Sequence, residues 1–267
     1  MKNKFCLILG MVLLSSMMAF AQTSCANPTV VQPSGEPTNF DFVAPTSSNY
    51  YQFDVRPNRS YSVTVRQNYD LVNTDLTAGG GGGVFLYTDA ACTVAVPGTN
   101  DTSGSEPPLP ANAFRSGFVT PNSVANQSYR IKVTNGNGAA GRYIEVVVSE
   151  TTLFSPLYTT FSGFNTFYRV FNTTGQTITG TMTAFSAAGS VIGTPAPVTI
   201  PAYSSTQTIY TGPPAAGNTA MNIPANNAGP VVFVHNGPAG GVVIDGFSGS
   251  FSNGVQTIPI KFVSVRE

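Results

Sequence analysis

Charge is the scarcest property of this chain. Asp, Glu, Lys and Arg together make up 9% of 267 residues, where a typical globular protein carries roughly 25%. Twelve basic residues balance twelve acidic ones, which leaves no basic footprint for nucleic acid and no polybasic patch for an anionic membrane surface. Tryptophan is absent and histidine occurs once, at His235. A single imidazole excludes an H-E-x-x-H zinc helix and any His-based metal pair. A nucleophilic mechanism would need a partner for it, and no G-x-S-x-G elbow exists, since Gly246-Phe247-Ser248-Gly249-Ser250 lacks the spacing. Long apolar runs are missing after residue 21, so no later segment could cross a bilayer as a helix.

The one apolar run that is present reads as a secretory leader. Lys2 and Lys4 precede a mostly apolar stretch from Phe5 to Phe20, and Ala19-Phe20-Ala21 is a small-x-small cleavage site before Gln22. Export is therefore expected, to the periplasm, the outer surface or the extracellular space. Removing Lys2 and Lys4 leaves 10 basic against 12 acidic residues, a net charge of −2. Cys6 leaves with the leader. Cys25 and Cys92 remain, an even pair in an oxidising compartment, and one disulfide between them is expected, two buried free thiols being the other reading. Gln22-Thr23-Ser24 lacks the apolar residue and small-residue run that a lipoprotein signal places before its cysteine.

The chain is nonetheless 42% apolar and 11% aromatic, enough for a core. Its solvent faces must be carried by Ser, Thr, Asn and Gln, as suits a pleated surface. About 245 residues remain after cleavage, room for two domains. Tyr51–Val55 and Tyr61–Val65 alternate apolar and polar residues around the turn Arg56-Pro57-Asn58-Arg59, which predicts an antiparallel hairpin. Further strands are predicted at Val84–Thr88, Tyr129–Val133 and Tyr143–Val148, with a long loop from Pro97 to Pro121. A joint is expected over Glu150–Pro156. Beyond it, short runs at Phe167–Asn172, Thr177–Phe185, Val191–Gly193, Val198–Ile200, Ser205–Tyr210, Val231–His235, Gly241–Phe247 and Ile258–Val265 recur at the spacing of a sandwich.

The order Tyr50-Tyr51-Gln52-Phe53-Asp54-Val55, Tyr61-Ser62-Val63-Thr64-Val65, Phe85-Leu86-Tyr87-Thr88-Asp89, Tyr129-Arg130-Ile131-Lys132-Val133 and Gly141-Arg142-Tyr143 resembles the bacterial pre-peptidase C-terminal domain. That family is a small β-sandwich appended to secreted proteases and other exported proteins, and the resemblance covers about residues 38–150. The 97–121 spacing is longer than the family's, and Glu145 stands where an apolar residue is usual, so no metal role is carried over. The segment from Tyr168 through the corner Ile200-Pro201-Ala202-Tyr203-Ser204-Ser205 resembles immunoglobulin-like modules of bacterial surface proteins.

Weighed singly, the candidate sites are bland. Gly79–Gly83 is followed by Val84-Phe85 rather than by Lys-Ser/Thr, which marks a hairpin tip and not a phosphate loop. Asn68–Asp75 holds scattered oxygens without the bidentate Glu of a calcium loop. Nothing marks two carboxylates for the opposed roles of glycoside hydrolysis. Tyr50, Tyr69, Tyr87, Tyr158, Tyr168, Tyr203 and Tyr210 could form a sugar-binding platform, but aromatics at alternating strand positions usually belong to a core. Asn58, Asn100, Asn126 and Asn172 each begin an N-x-[ST] triplet. His235 is expected to be a strand-end residue before the turn Asn236-Gly237.

The expectation is thus an all-β chain of two tandem antiparallel β-sandwich domains, jelly-roll-like over 24–150 and immunoglobulin-like over 157–267, behind a signal peptide over 1–21. It needs no cofactor, metal or catalytic residue. Its expected function is that of a non-enzymatic structural or interaction module of the cell envelope or extracellular space, meeting a protein or glycan partner. The alternative is a carbohydrate-binding protein that uses exposed tyrosines.

Overall fold

A computed structural model describes residues 24–38, 41–67, 76, 80–99, 113–121, 127–206, 208–213, 217–250 and 256–264. The leader and its cleavage site lie outside these residues. The described chain is all-β, with one 3-10 turn at Phe161–Gly163.

The first half contains β1 (Thr29–Val30), β2 (Ser34–Pro37), β3 (Asp41–Val43), β4 (Ser48–Val55), β5 (Ser60–Gln67), β6 (Gly83–Tyr87), β7 (Ala113–Val119), β8 (Gln127–Thr134) and β9 (Arg142–Glu150). Sheet I runs β1-β4-β8-β6, and sheet II runs β2-β9-β5-β7 with β3 also on β9. Alternation does the packing. Tyr51, Phe53 and Val55 of β4 and Ile131 and Val133 of β8 are buried, as are Val63 and Val65 of β5 and Ile144, Val146 and Val148 of β9. Phe53, Tyr61, Phe118 and Tyr129 form one aromatic cluster, with centroids 5.5–6.3 Å apart.

Two expectations need correction here. Tyr51–Val55 and Tyr61–Val65 are not hairpin partners, because β4 pairs with β8 and β5 with β7 and β9. The Arg56–Arg59 turn carries the chain from one sheet to the other, with Asn58 at φ 52° and the Arg56 N–H donating to the Tyr61 hydroxyl at 3.0 Å. Both apolar faces then meet across the sandwich, which an alternation pattern cannot tell from pairing within a sheet. The loop expected over 97–121 contains β7, whose Ala-Phe-Arg-Ser-Gly-Phe-Val lacks clean alternation. Phe118 nevertheless stacks on Tyr61 and Tyr129.

The second half contains β10 (Leu153–Thr159), β11 (Phe164–Asn172), β12 (Ile178–Phe185), β13 (Val191–Ile200), β14 (Thr208–Tyr210), β15 (Asn218–Ala220), β16 (Ala228–His235), β17 (Val242–Ser250), β18 (Gln256–Lys261) and β19 (Val263–Ser264). Sheet III runs β13-β12-β16-β10-β19 and sheet IV β15-β14-β11-β17-β18. Pairing is antiparallel except for β1 on β4 and β14 on β15, which are parallel. Tyr158, Tyr168, Val170, Met182, Ile200 and Phe233 fill the space between sheets III and IV. One buried cluster draws on residues 31–148 and the other on 158–260.

The joint is shorter than the expected Glu150–Pro156. Leu153–Ser155 already pairs with Val231–Phe233, and Pro156 falls in the irregularity before Tyr158, where its missing N–H costs the ladder nothing. Only Thr151 and Thr152 lie between strands. Val191–Gly193 and Val198–Ile200, expected as separate runs, form one strand whose register on β12 shifts between Met182 and Ala184.

Candidate functional site

The expected cysteine pair is bridged. Cys25 and Cys92 form a disulfide with Cα atoms 6.1 Å apart. It ties the turn before β1 to the turn after β6, the strands at opposite edges of sheet I. Arg130, on the outer face of β8, directs its Nε to the Cys25 carbonyl at 3.4 Å. The turn after β6 is held by Asp89, which accepts from the Thr93 and Val94 amides at 3.0 and 2.8 Å. Those donors, Val94 first, hold the Asp89 carboxyl below its usual range.

The seven candidate tyrosines do not form one face. Tyr158 and Tyr168 are core residues at 0% and 1% exposure, Tyr210 is buried at 7% on the outer face of sheet IV, and Tyr69 lies outside the described residues. Tyr50 and Tyr87 are half-buried on the outer face of sheet I, in the cross-strand rows Tyr50–Lys132–Phe85 and Gln52–Arg130–Tyr87. Burial, then neighbouring Tyr50 and Asp89, push the Tyr87 phenol up. Tyr203 is exposed, but in the other half of the chain. The calcium candidate at 68–75 also lies outside the described residues. Asn172 is buried, and its amide is engaged by three backbone carbonyls, so its triplet is no glycan acceptor site.

Exposed apolar side chains gather around β18. On the outer face of sheet IV, Phe167 stacks on Tyr210 at 5.7 Å and 8° and on Phe247 at 5.1 Å and 22°, and Pro259 is paired beside Phe247. Near-parallel rings at strand spacing stand upright and turn their edges outward. A sugar platform needs faces outward, so this row suits packing against a protein surface better. The next row is charged, Arg169–Asp245–Lys261, and the one after it is Phe171–Val243. Around the β18 edge, a groove of about 400 Å³ runs between β18 and β10, lined by Phe154, Pro156, Leu157, Ile258 and Val263. Leu157, Val243, Phe247, Ile258 and Val263 are 38–56% exposed. A concentration of exposed apolar residues rimmed by polar ones marks an interaction surface. The edge strand β18 contains Pro259, and β10 contains Pro156 beyond its short pairing with β19, which blunts open-ended strand addition.

His235 is the strand-end residue expected from its position, but it lies where the two halves meet. It ends β16 at 2% exposure and is stacked on Phe233 at 5.4 Å. Its Nδ1 accepts the Gly237 N–H at 3.1 Å, so the ring proton sits on Nε2, the nitrogen left to face the Thr151 carbonyl. Burial pushes its pKa down to about 4, with the Thr151 carbonyl acting in the opposite sense. Thr151 in turn donates its N–H to Ser60 O at 2.8 Å, and Thr152 Oγ1 accepts from Ser60 N at 3.0 Å. A cleft of about 440 Å³ opens here between the β2–β9 edge and the 235–242 turn. Gly117 of β7 packs directly under that turn, because a Cβ there would collide with the Asn236 carbonyl. Sequence reasoning found neither the position of His235 at the joint nor Gly117. The Asn-Gly turn and a glycine inside a strand are their only local signals.

Among the described residues no three His, Cys, Asp or Glu side chains converge as metal ligands, and no helix is long and apolar enough to cross a membrane. No protein-family model and no curated protein matches this chain. Among solved structures, the full extracellular region of zebrafish Gpr126/Adgrg6 aligns with 85% of this chain at 10% identity and a TM-score of 0.26, and the chain spans 37% of that structure's length. A likeness at that score carries no argument about fold or function.

Proposed function

We propose that this protein is an exported, non-enzymatic interaction module of the cell envelope or extracellular space, which holds a protein partner through the β18 side of its second half. The observation that carries this reading is the apolar concentration around β18, where an upright aromatic row and a hydrophobic groove flank one edge and Leu157, Val243, Phe247, Ile258 and Val263 are exposed together. The Cys25–Cys92 bridge suits an oxidising compartment. The leader-like first 21 residues and the resemblance of the first half to domains of exported proteins point the same way. Burial at 2% exposure and the Gly237 N–H donated to Nδ1 give the His235 imidazole a structural task.

A photo-crosslinking residue in place of Phe247 or Ile258 tests the reading in cells that export the chain. A discrete adduct with one envelope or extracellular protein is expected from both positions and from neither Val191 nor Thr181. Equal labelling from all four positions, or none from any, would sink the proposal. A glycan array of the purified protein should be flat. A specific hit lost in Tyr50→Ala or Tyr87→Ala would favour the carbohydrate reading instead.

A further inference from the structure

We infer that His235 makes the docking of the two halves pH-dependent, its neutral ring holding the 236–241 turn against sheet II and its protonation releasing that turn. The geometry rests on three contacts. Nδ1 accepts the Gly237 N–H, Nε2 faces the Thr151 carbonyl, and the Asn236–Gly237 carbonyls lie over Gly117 of β7. Thr151 is itself fixed to Ser60 at the start of β5. His235 therefore bonds the turn it precedes and borders, in the same cleft, a residue anchored on the other half.

A second ring proton can go only to Nδ1. There it would point at the Gly237 N–H, donor against donor, and a bare cation would sit at 2% exposure with one carbonyl to serve it. The remedy is to move the turn and admit water. The turn's other anchors, Asn236 N–H to Thr179 O at 3.0 Å, Thr179 N–H to Asn236 Oδ1 at 2.8 Å and Thr173 N–H to Gly241 O at 3.0 Å among them, lie within the second half and need not break. The cleft beside the ring already gives water a route.

The charged groups around this site are Glu36 from β2, Glu150 from the end of β9, the latter 3.7 Å from Arg59, and Arg115 of β7, two residues from Gly117 on the same face of that strand. β12 and β16 bring no other acid or base. The sign follows from proton uptake. An exposed imidazole titrates near 6.5 and the docked one near 4, so between these values the open form binds more protons. Docking is complete above about pH 6.5 and is lost progressively as the pH falls towards 4. The docking equilibrium weakens on the order of a hundredfold over that window.

Small-angle scattering of the full chain from pH 7.5 to 3.5 reads the opening directly, with circular dichroism confirming that both halves stay folded. The wild type should expand below pH 6, and His235→Gln, whose amide can accept from Gly237 and donate to Thr151 without titrating, should stay compact throughout. Because the chain has a single histidine, its imidazole resonance can be followed unambiguously, and its titration should track the expansion. If the substitution disturbs folding, that coincidence in the wild type alone decides the matter. Glu36→Gln and Glu150→Gln should leave the transition in place. No expansion in the wild type, expansion unchanged in His235→Gln, expansion abolished by a glutamate substitution, or an imidazole that titrates apart from the expansion would each overturn the inference.

Discussion

The two halves secure their loops with the same device and their sheets with different ones. At the end of β8, the buried Asn135 donates from Nδ2 to the carbonyls of Val43, Ala44 and Ala140 at 3.3, 3.2 and 2.9 Å, while its Oδ1 accepts the Asn137 N–H. At the end of β11, the buried Asn172 donates to the carbonyls of Gln176, Ile200 and Pro201 at 2.5, 3.1 and 3.0 Å, while its Oδ1 accepts from the N–H and hydroxyl of Thr174. Each knot meets the backbone groups that a sheet leaves behind where the chain turns away from it. Only the first half adds a covalent strap. Its edge strand β1 is two residues long and cannot hold the lead-in alone; the second half's edge strand β19 is equally short, yet that half contains no cysteine.

The sharpest way to test whether the knots are equivalent is to reverse their polarity. Asn135→Asp or Asn172→Asp sets a buried carboxylate against three carbonyl oxygens, an uncompensated charge that costs about 3–5 kcal/mol. Each substitution should destabilise only its own half. Without tryptophan the fluorescence signal is weak, so calorimetry is the measurement of choice, and at neutral pH one transition should fall while the other stays put. Equal movement of both transitions would mean a single shared core.

The strap separates the halves from the other side. Cys25 and Cys92 are 67 positions apart, and closing such a loop is worth about 4 kcal/mol as a chain-entropy ceiling. Cys25→Ser with Cys92→Ser, or reduction of the wild type, should lower the first half's transition and leave the second's unchanged. Peptide mapping without reductant should find the linked pair, and two free thiols in exported protein would remove the contrast between the halves.

How much of this was legible depends on which distances each feature spans. Within strands, alternation at Tyr51–Val55, Tyr61–Val65, Tyr129–Val133 and Tyr143–Val148 located β4, β5, β8 and β9, because burial of one face is written at period two. Sheet membership was not legible. Whether Tyr61 pairs beside Phe53 or faces it across the core is a three-dimensional choice made by the Arg56–Arg59 turn. β7 was hidden by its composition, β10 by Pro156, and β15 by its length of three residues. The cysteine pair could be read because parity and compartment suffice. Asn135 and Asn172 look like ordinary turn residues in sequence, since nothing local says that the carbonyls they bind come from up to 92 positions away. The β18 surface could not be read because Phe247 and Val243 obey the same alternation as their buried neighbours.

Contact between the halves rests on a smaller term. Gly117→Ala places a methyl group against the Asn236 carbonyl, and relieving such a clash costs about 1–3 kcal/mol. That cost falls on docking and on neither core. Both calorimetric transitions should survive, and scattering should show an expanded chain at neutral pH, where the wild type is docked. An unaltered, compact G117A variant would mean that the 236–241 turn does not bear on sheet II.

The smallest expected effects compare one exposed aromatic group from each half. Phe42 and Tyr143 are a cross-strand pair on β3 and β9, with centroids 5.1 Å apart and exposures of 45% and 54%. The Phe42 ring also lies over Gly141, filling the space where that residue has no side chain. Phe247 sits in the upright row at 40% exposure. Exposed cross-strand pairs contribute about 0.2–1 kcal/mol, so Phe42→Ala and Phe247→Ala should each cost less than about 1 kcal/mol of stability in its own half. The difference should lie in binding. Phe247→Ala should abolish the adduct formed by a crosslinker at position 258, because it removes the centre of the row that the partner packs against, and Phe42→Ala should leave that adduct intact. Loss of the adduct in both variants, or in Phe42→Ala alone, would place the partner on the first half and reverse the division of labour argued here.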